Sequence, residues 1–172
     1  MTIVTRRSLL VPYNESLQSE FLMLHCCRTN RAQMNGAHTV SSAKQLFEKT
    51  LNDRNLYAMA VLDSRSRDYM GHIFICDLDT EPELGFIFDK VYWGIGFASE
   101  ALQAFFPKAV RDLNLTDVVA TANIDHQPSI RILQKLGFQF NARKQDTFGP
   151  YNEYRFTSDV AVDQLWLNES LA

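Results

Sequence analysis

Two stretches of this sequence carry side chains at spacings that chemistry could use. The first is Trp93-Gly94-Ile95-Gly96-Phe97-Ala98-Ser99, between a strand-like run and the most regular amphipathic segment of the chain. At such a junction the first backbone N–H groups of the helix lack intrahelical partners and the macrodipole adds partial positive charge, which suits an anion. Gly94 and Gly96 allow close backbone approach, and Ala98 is too small to block it. No Gly-Lys-Ser/Thr follows and the spacing is not G-x-G-x-x-G, so neither a P-loop nor a dinucleotide fingerprint is present. The second stretch runs from His126 through Gln127, Pro128 and Ser129 to Gly137-Phe138, and opens a helix after the next strand. Asp77, Asp79, Glu81 and Glu83 also recur at every second residue, which in an extended strand points their carboxylates one way; Pro82 and an expected turn at Asp79 to Pro82 interrupt that run and favour a solvated turn. His25, His38 and His72 lack the spacing of helical metal ligands, and Cys26, Cys27 and Cys76 show no disulfide or zinc pattern. The cysteines read as small buried hydrophobes.

The elements that must position these residues follow from periodicity. A strand is expected at 8–13, a helix capped by Asn14 through about 28, and a polar loop at 30–39. Ser41 and Ser42 are placed to cap a second helix through 53. Strands are expected at 56–63, 69–77 and 83–89. Ala98, Ala101, Leu102, Phe105, Ala109, Val110 and Leu113 then form one apolar face of a helix, with Pro107 inside it predicting a kink or early break. A buried strand at 117–122, a helix at 127–136 stopped by Gly137, and strands at 138–143 and 151–157 around a Gly149-Pro150 turn complete the pattern. Residues 160–169 suggest a short terminal helix. At 172 residues, with 46% hydrophobic and 22% charged side chains, this is the composition of one globular domain. The net charge of -3 supplies no field for a polyphosphate backbone, so direct nucleic-acid binding is not expected. No run approaches a membrane span and Met1 to Arg7 is unlike a signal peptide, so a cytoplasmic protein without membrane partners is expected.

Together the two stretches resemble the GNAT superfamily of acetyl-CoA-dependent N-acetyltransferases. Trp93 to Leu102 matches the pyrophosphate loop in the form W-G-x-G-[YF]-A-x-E-A-L, and His126 to Phe138 matches the helix N-x-x-S-I-R-x-L-x-K-x-G-F. With Leu9-Leu10 at the start and Glu83-Leu84-Gly85-Phe86 before the loop, the chain is similar to the Rim-type branch, which includes enzymes acetylating ribosomal-protein N-termini. The resemblance implies an α/β (α+β) fold: a mixed, mostly antiparallel sheet with helices on both faces and strands splayed at the cofactor site. It covers about 8–157 of a single domain spanning 1–172, with a short C-terminal extension.

By the same resemblance, Trp93 to Ser99 hold the pyrophosphate of acetyl-CoA, and pantetheine pairs with the strand before the loop. Backbone N–H groups near Ile87 and Phe88 polarise the thioester oxygen. Ser129 protonates the departing thiolate, and Glu83 acts as base through a water. Three departures stand out: Trp93 replaces the Arg or Gln of the general superfamily, though Trp is usual in this branch. His126 replaces an Asn that contacts pantetheine, and Leu133 replaces the Tyr that many such enzymes use as general acid. The implied reaction moves acetyl from acetyl-CoA to a primary amine, first a protein N-terminal α-amine, with polyamines or other small amines second and a non-catalytic CoA-binding sensor as the rival. No metal is expected, and the assembly is a monomer or homodimer. The acidic run 77–83 would lie beside the acceptor mouth and favour cationic amines.

Overall fold

The computed structural model describes residues 1–158. Eight strands are present: β1 (Ile3–Val4), β2 (Ser8–Val11), β3 (Tyr57–Asp63), β4 (Tyr69–Cys76), β5 (Glu83–Phe88), β6 (Asp117–Asn123), β7 (Gln139–Asp146) and β8 (Gly149–Thr157). Four α-helices accompany them: α1 (Gln18–His25), α2 (Val40–Asn52), α3 (Phe97–Asp112) and α4 (Gln127–Lys135). The strands form one sheet in the order β1-β2-β3-β4-β5-β6-β8-β7. Every neighbouring pair is antiparallel except β5 and β6, which are parallel and joined by the α3 crossover. This is the expected mixed, mostly antiparallel α/β sheet.

Period-two alternation along β4 divides the core between the two faces. Ile73 and Ile75 join the main core with Leu102, Phe105 and Phe106 of α3 and Leu133 of α4. His72 points the other way, against the rings of Tyr13 and Phe21, and Phe21 packs on Phe47 of α2. Helices therefore cover both faces.

Several local expectations are corrected. Thr39, not Ser41 or Ser42, caps α2: its hydroxyl accepts the Ser42 N–H, and the Ser42 hydroxyl accepts the Thr39 N–H at 3.0 Å. Asn14 caps the 3₁₀ turn Glu15–Leu17, and α1 ends at His25 rather than near 28. The early end lets buried Asn30 donate to Leu24 and Asp89 while accepting the Lys90 N–H. Helix α3 runs unbroken through Pro107 to Asp112, because Phe105, Phe106, Ala109 and Val110 are buried on either side of the proline. Their packing offsets a penalty of about 3 kcal/mol. Gly149 and Pro150 begin β8, and the reversal falls one step earlier, where Asp146 accepts the Phe148 N–H at 2.8 Å. Strand β1 had no sequence signal beyond Ile3-Val4. The cysteines are half-buried free thiols rather than core residues. The helix expected at 160–169 lies outside the described residues.

Candidate active site

The site begins with a defect in the sheet. Strands β5 and β6 share a single ladder position, Glu83 with Val119. The Val119 N–H donates to the Pro82 carbonyl there, at 2.9 Å. Beyond it the strands separate into a wedge, closed at Glu83 and open toward Phe88 and Asn123. Backbone polar groups alternate sides along a strand. Pro82 faces β6, and Asp89 donates to Met70 of β4. It follows that Phe86 and Phe88 present their backbone to the wedge, while Ile87, paired with His72, turns its N–H to β4. This corrects the expectation for Ile87: the residue lines the cavity, but of the two N–H groups only that of Phe88 faces the opening. By the same parity Thr121 and Asn123 offer their backbone from the opposite wall, because the alternate residues of β6 serve β8.

At the open end stands the Gly-containing loop. Gly94 and Gly96 both adopt left-handed backbone, at φ 74° and 87°. Gly96 is the N-cap of α3 and offers no side chain to its first turn, so the N–H groups of Phe97, Ala98 and Ser99 remain directed outward. A Cβ on Gly96 would lie 3.2 Å from the Arg7 guanidinium, whereas Gly94 has open space around it. Trp93 fastens the loop to β5 by donating its indole N–H to the Phe88 carbonyl at 2.8 Å. Ser99 accepts from Gln103 and lines the cavity. Ile95 is the exception among the expected cofactor residues: it does not line the cavity, its side chain is exposed, and its carbonyl accepts from Arg7 at 2.9 Å.

Sequence reading overlooked Arg7. It donates Nε to Glu100 Oε1 at 3.1 Å, lies 4.2 Å over the Phe97 ring and holds the Ile95 carbonyl. Glu100 also accepts from the Thr5 hydroxyl and the Arg7 N–H, and these contacts draw its carboxyl below the usual range against the opposing effect of desolvation. The β1–β2 turn thus clamps the first turn of α3. Only the pairing of Thr5-x-Arg7 with Glu100 could have signalled this, and those positions are far apart in sequence.

A cavity of about 1270 Å³ occupies the wedge. Its lining includes Glu83, Phe88, Trp93, Gly94, Gly96, Phe97, Ala98, Ser99, His126 and Ser129. Ser129 is half-buried, and its hydroxyl makes no hydrogen bond among the described residues. It therefore does not serve as a helix cap. Partial burial lowers the His126 pKa, favouring neutral imidazole, and that ring provides no side-chain cap to α4 either. Leu133 lies in the core floor, so α4 offers no phenol at that position.

Glu83, at the closed end, has its pKa raised, first by desolvation and then by Asp77, with Glu153 and Glu81 adding repulsion against a hydrogen bond from Thr121. The acidic run does not form one strand face. Asp77 turns left-handed at φ 54°, the Thr80 N–H bonds back to it, and Asp79 is absent from the lining. The turn nevertheless delivers Asp77 and Glu81 to the cavity beside Glu83. Glu81 pairs with Arg155 at 2.6 Å and Glu153 with Lys144 at 3.0 Å. The ligand atoms of Cys76, Asp77 and Glu83 all lie within 4.8 Å of one another. Burial and the two carboxylates push the Cys76 thiol up to about 12, so this corner offers a cation carboxylates rather than a thiolate. The loop at 29–36 roofs the opening, tied at one side by Asn30 to Asp89 and at the other by Gln33 accepting from Asn123 at 2.8 Å.

An anion cradle, two unpaired strand edges and a long cavity fit the pyrophosphate, pantetheine and thioester of acetyl-CoA in that order. Among the described residues no helix is long and apolar enough to cross a membrane. The chain is 30% identical over 106 residues to the uncharacterized N-acetyltransferase YnaD of Bacillus subtilis, a match covering 60% of this chain and 62% of YnaD. Its match therefore spans about three fifths of the length of that curated relative. Among solved structures it is similar to a spermidine N-acetyltransferase from Vibrio cholerae in complex with CoA and spermine, with TM-score 0.77 at 12% identity over 87% of this chain and 95% of that one. It is also similar to the RimL ribosomal alpha-N-protein acetyltransferase in complex with coenzyme A, with TM-score 0.75 at 17% identity over 92% and 99% of the two chains. The family described as the acetyltransferase (GNAT) domain matches residues 7–139, and with that span, fold and site the chain belongs to the GNAT acetyltransferase family.

Proposed function

We propose that this protein transfers acetyl from acetyl-CoA to a primary amine, and that its first acceptor is the N-terminal α-amine of a protein, as in the Rim-type branch. The observation that carries the reading is the β5–β6 wedge, with an anion cradle at its open end and Glu83 at its closed end. Cofactor lying along that axis brings its thioester toward Glu83 and Ser129. The β5 N–H groups that face the wedge, those of Phe86 and Phe88, are the donors available to the developing oxyanion, Glu83 takes a proton from the amine through a water, and Ser129 donates one to the leaving thiolate. An α-amine has a pKa near 7.7–8.0, against about 10.4 for lysine, so a carboxylate of raised pKa is an adequate base for it. The one-domain organisation belongs to the same proposal.

A second acceptor class, polyamines, is favoured by the lining itself. Asp77, Glu81, Glu83, Asp146 and Glu153 face the cavity, against Arg31 as the lining's sole lysine or arginine. With Glu81 and Glu153 already paired, Asp77, Glu83 and Asp146 remain without an ion pair among the described residues, and Asp77 and Glu83 lie together for an ammonium group. Both the spermidine and ribosomal-protein acetyltransferases share this fold. An acetylation panel separates the readings: free peptides, the same peptides blocked at the N-terminus but retaining lysines, and spermidine or spermine. The α-amine reading expects the free peptides to exceed both other groups. Turnover of polyamines with none of any free peptide favours the second reading. Binding of acetyl-CoA with no turnover of either leaves a CoA-binding sensor.

A further inference from the structure

Beside the pyrophosphate loop lies a second, smaller cleft of about 340 Å³, lined by Arg6, Arg7, Asp63, Ser64, Arg65 and Phe97. It is built from the β1–β2 and β3–β4 turns, which the Ser64 N–H joins by donating to the Arg7 carbonyl at 2.9 Å. Phe97 walls both this cleft and the main cavity, and Arg7 reaches from the cleft to the edge of Gly96. The three guanidinium groups are not equivalent. Arg7 is committed to Glu100, Ile95 and the Phe97 ring. Arg6 and Arg65 make no side-chain hydrogen bond or ion pair among the described residues, and both are exposed.

The lining's one carboxylate is turned to its own loop. Asp63 Oδ1 accepts the N–H groups of Ser66 and Arg65 at 2.9 and 2.8 Å, and these bonds, with a smaller attraction from the nearby Arg65 charge, hold its carboxyl below the usual range. In a chain of net charge -3, the cleft is thus a local surplus of cation, with two forked donors unspent.

We propose that this cleft is the subsite for the 3′-phosphate of the acetyl-CoA ribose, held by Arg6 and Arg65. The inference rests on the reading that acetyl-CoA lies with its pyrophosphate on residues 94–99. The 3′-phosphate is the cofactor's one phosphomonoester, with a charge near -2 at neutral pH and three acceptor oxygens, so it is the group that two free guanidinium forks suit best. The pyrophosphate spends the helix N–H groups next door, and Arg7, shared by loop and cleft, sets the two subsites side by side.

Calorimetry with acetyl-CoA and acetyl-dephospho-CoA, which lacks only the 3′-phosphate, tests this on the full chain. The parent protein should bind acetyl-CoA at least about 10-fold more tightly than the dephospho form, since a charge-assisted contact contributes a factor of that order. In Arg6→Ala/Arg65→Ala the ratio should fall below about 3-fold, with affinity for acetyl-dephospho-CoA unchanged. Both residues are exposed and without side-chain hydrogen bonds, so the double variant should fold; a matched Arg28→Ala/Arg54→Ala control should keep the parent ratio. A parent that binds the two cofactors equally, or a double variant that keeps the preference, overturns the subsite. A parent that binds neither cofactor removes the acetyl-CoA reading itself.

Discussion

Replacing Gly96 by valine tests the cofactor cradle, because the structure gives each part of the effect separately. At φ 87° an L-residue costs about 1–2 kcal/mol relative to glycine, and a β-branched one lies at the upper end. For a chain of this size that corresponds to a Tm drop of about 2–8 °C, which leaves the protein folded. The new Cβ would lie 3.2 Å from Arg7 Nη2, and the guanidinium cannot swing aside without loosening its bonds to Ile95 and Glu100. The two γ-carbons extend over the first-turn N–H groups of α3. Losing two charge-assisted hydrogen bonds of about 1.5–3 kcal/mol each amounts to at least about 100-fold in acetyl-CoA affinity. Gly94→Ala is the internal control. It carries the same kind of backbone strain at φ 74° but meets nothing within 4 Å, so its Tm should fall similarly while affinity changes by less than about 10-fold. Calorimetric titration beside a thermal melt reads both quantities. A folded Gly96→Val that binds acetyl-CoA within a few-fold of the parent would refute the cradle, as would equal affinity losses in the two variants.

Ser129→Ala should lower kcat by about 10²–10⁴-fold with cofactor affinity within a few-fold, because its hydroxyl has no hydrogen bond to lose among the described residues; a lost affinity with an intact kcat makes it a binding contact. Glu83→Gln should remove the acid limb of the pH–rate profile, a limb displaced upward by the raised pKa of Glu83, and the rate deficit should shrink as pH passes the amine's own pKa. A deficit that stays constant across pH excludes Glu83 as base. Stability should fall in acid through two buried histidines, His72 pushed down to about 3 and His25 to about 2, in both cases chiefly by burial. The folded state keeps them neutral while the unfolded chain binds protons near 6.5, so their contribution is intact above that pH and declines below it. At pH 5 the loss is about 2 kcal/mol for each histidine. His25→Leu removes a ring whose Nε2 has no hydrogen-bond partner among the described residues, and urea melts from pH 7 to 5 should show about half the parent's decline; an unchanged decline contradicts the assignment.

Local signals in the sequence were enough for the regular elements and for the identity of the loop that opens α3. Apolar periodicity determines α3 because one continuous face must be buried whatever it packs against, and Gly94 and Gly96 are readable because other residues adopt their backbone at a cost. Short-range features failed where a distant partner decided. Pro107 does not break α3 because the core packed around its neighbours outweighs the missing hydrogen bond. Helix α1 stops early because Asn30 is drawn to Asp89 and Lys90.

The acidic run shows the limit most plainly. Alternation along 77–83 allows one carboxylate-bearing strand face while Pro82 points to a turn; the chain does turn, from Asp77 on, but only the fold shows that this turn brings Asp77, Glu81 and Glu83 to one cavity. The parity of β5 is likewise invisible in sequence. Which of Ile87 and Phe88 faces the opening depends on which neighbour takes the alternate hydrogen bonds, and that is set by pairing with β4 and by the single contact with β6. Sequence by itself therefore determined the family-like motif, the mixed sheet and most of the residues around the cavity, since these follow from residue type and period. The resemblance already implied splayed strands, but tertiary structure alone decided which backbone groups face the wedge, the clamp of Arg7 on Glu100 and the arginine cleft. Each joins segments separated by dozens of residues, and packing and charge act through space rather than along the chain.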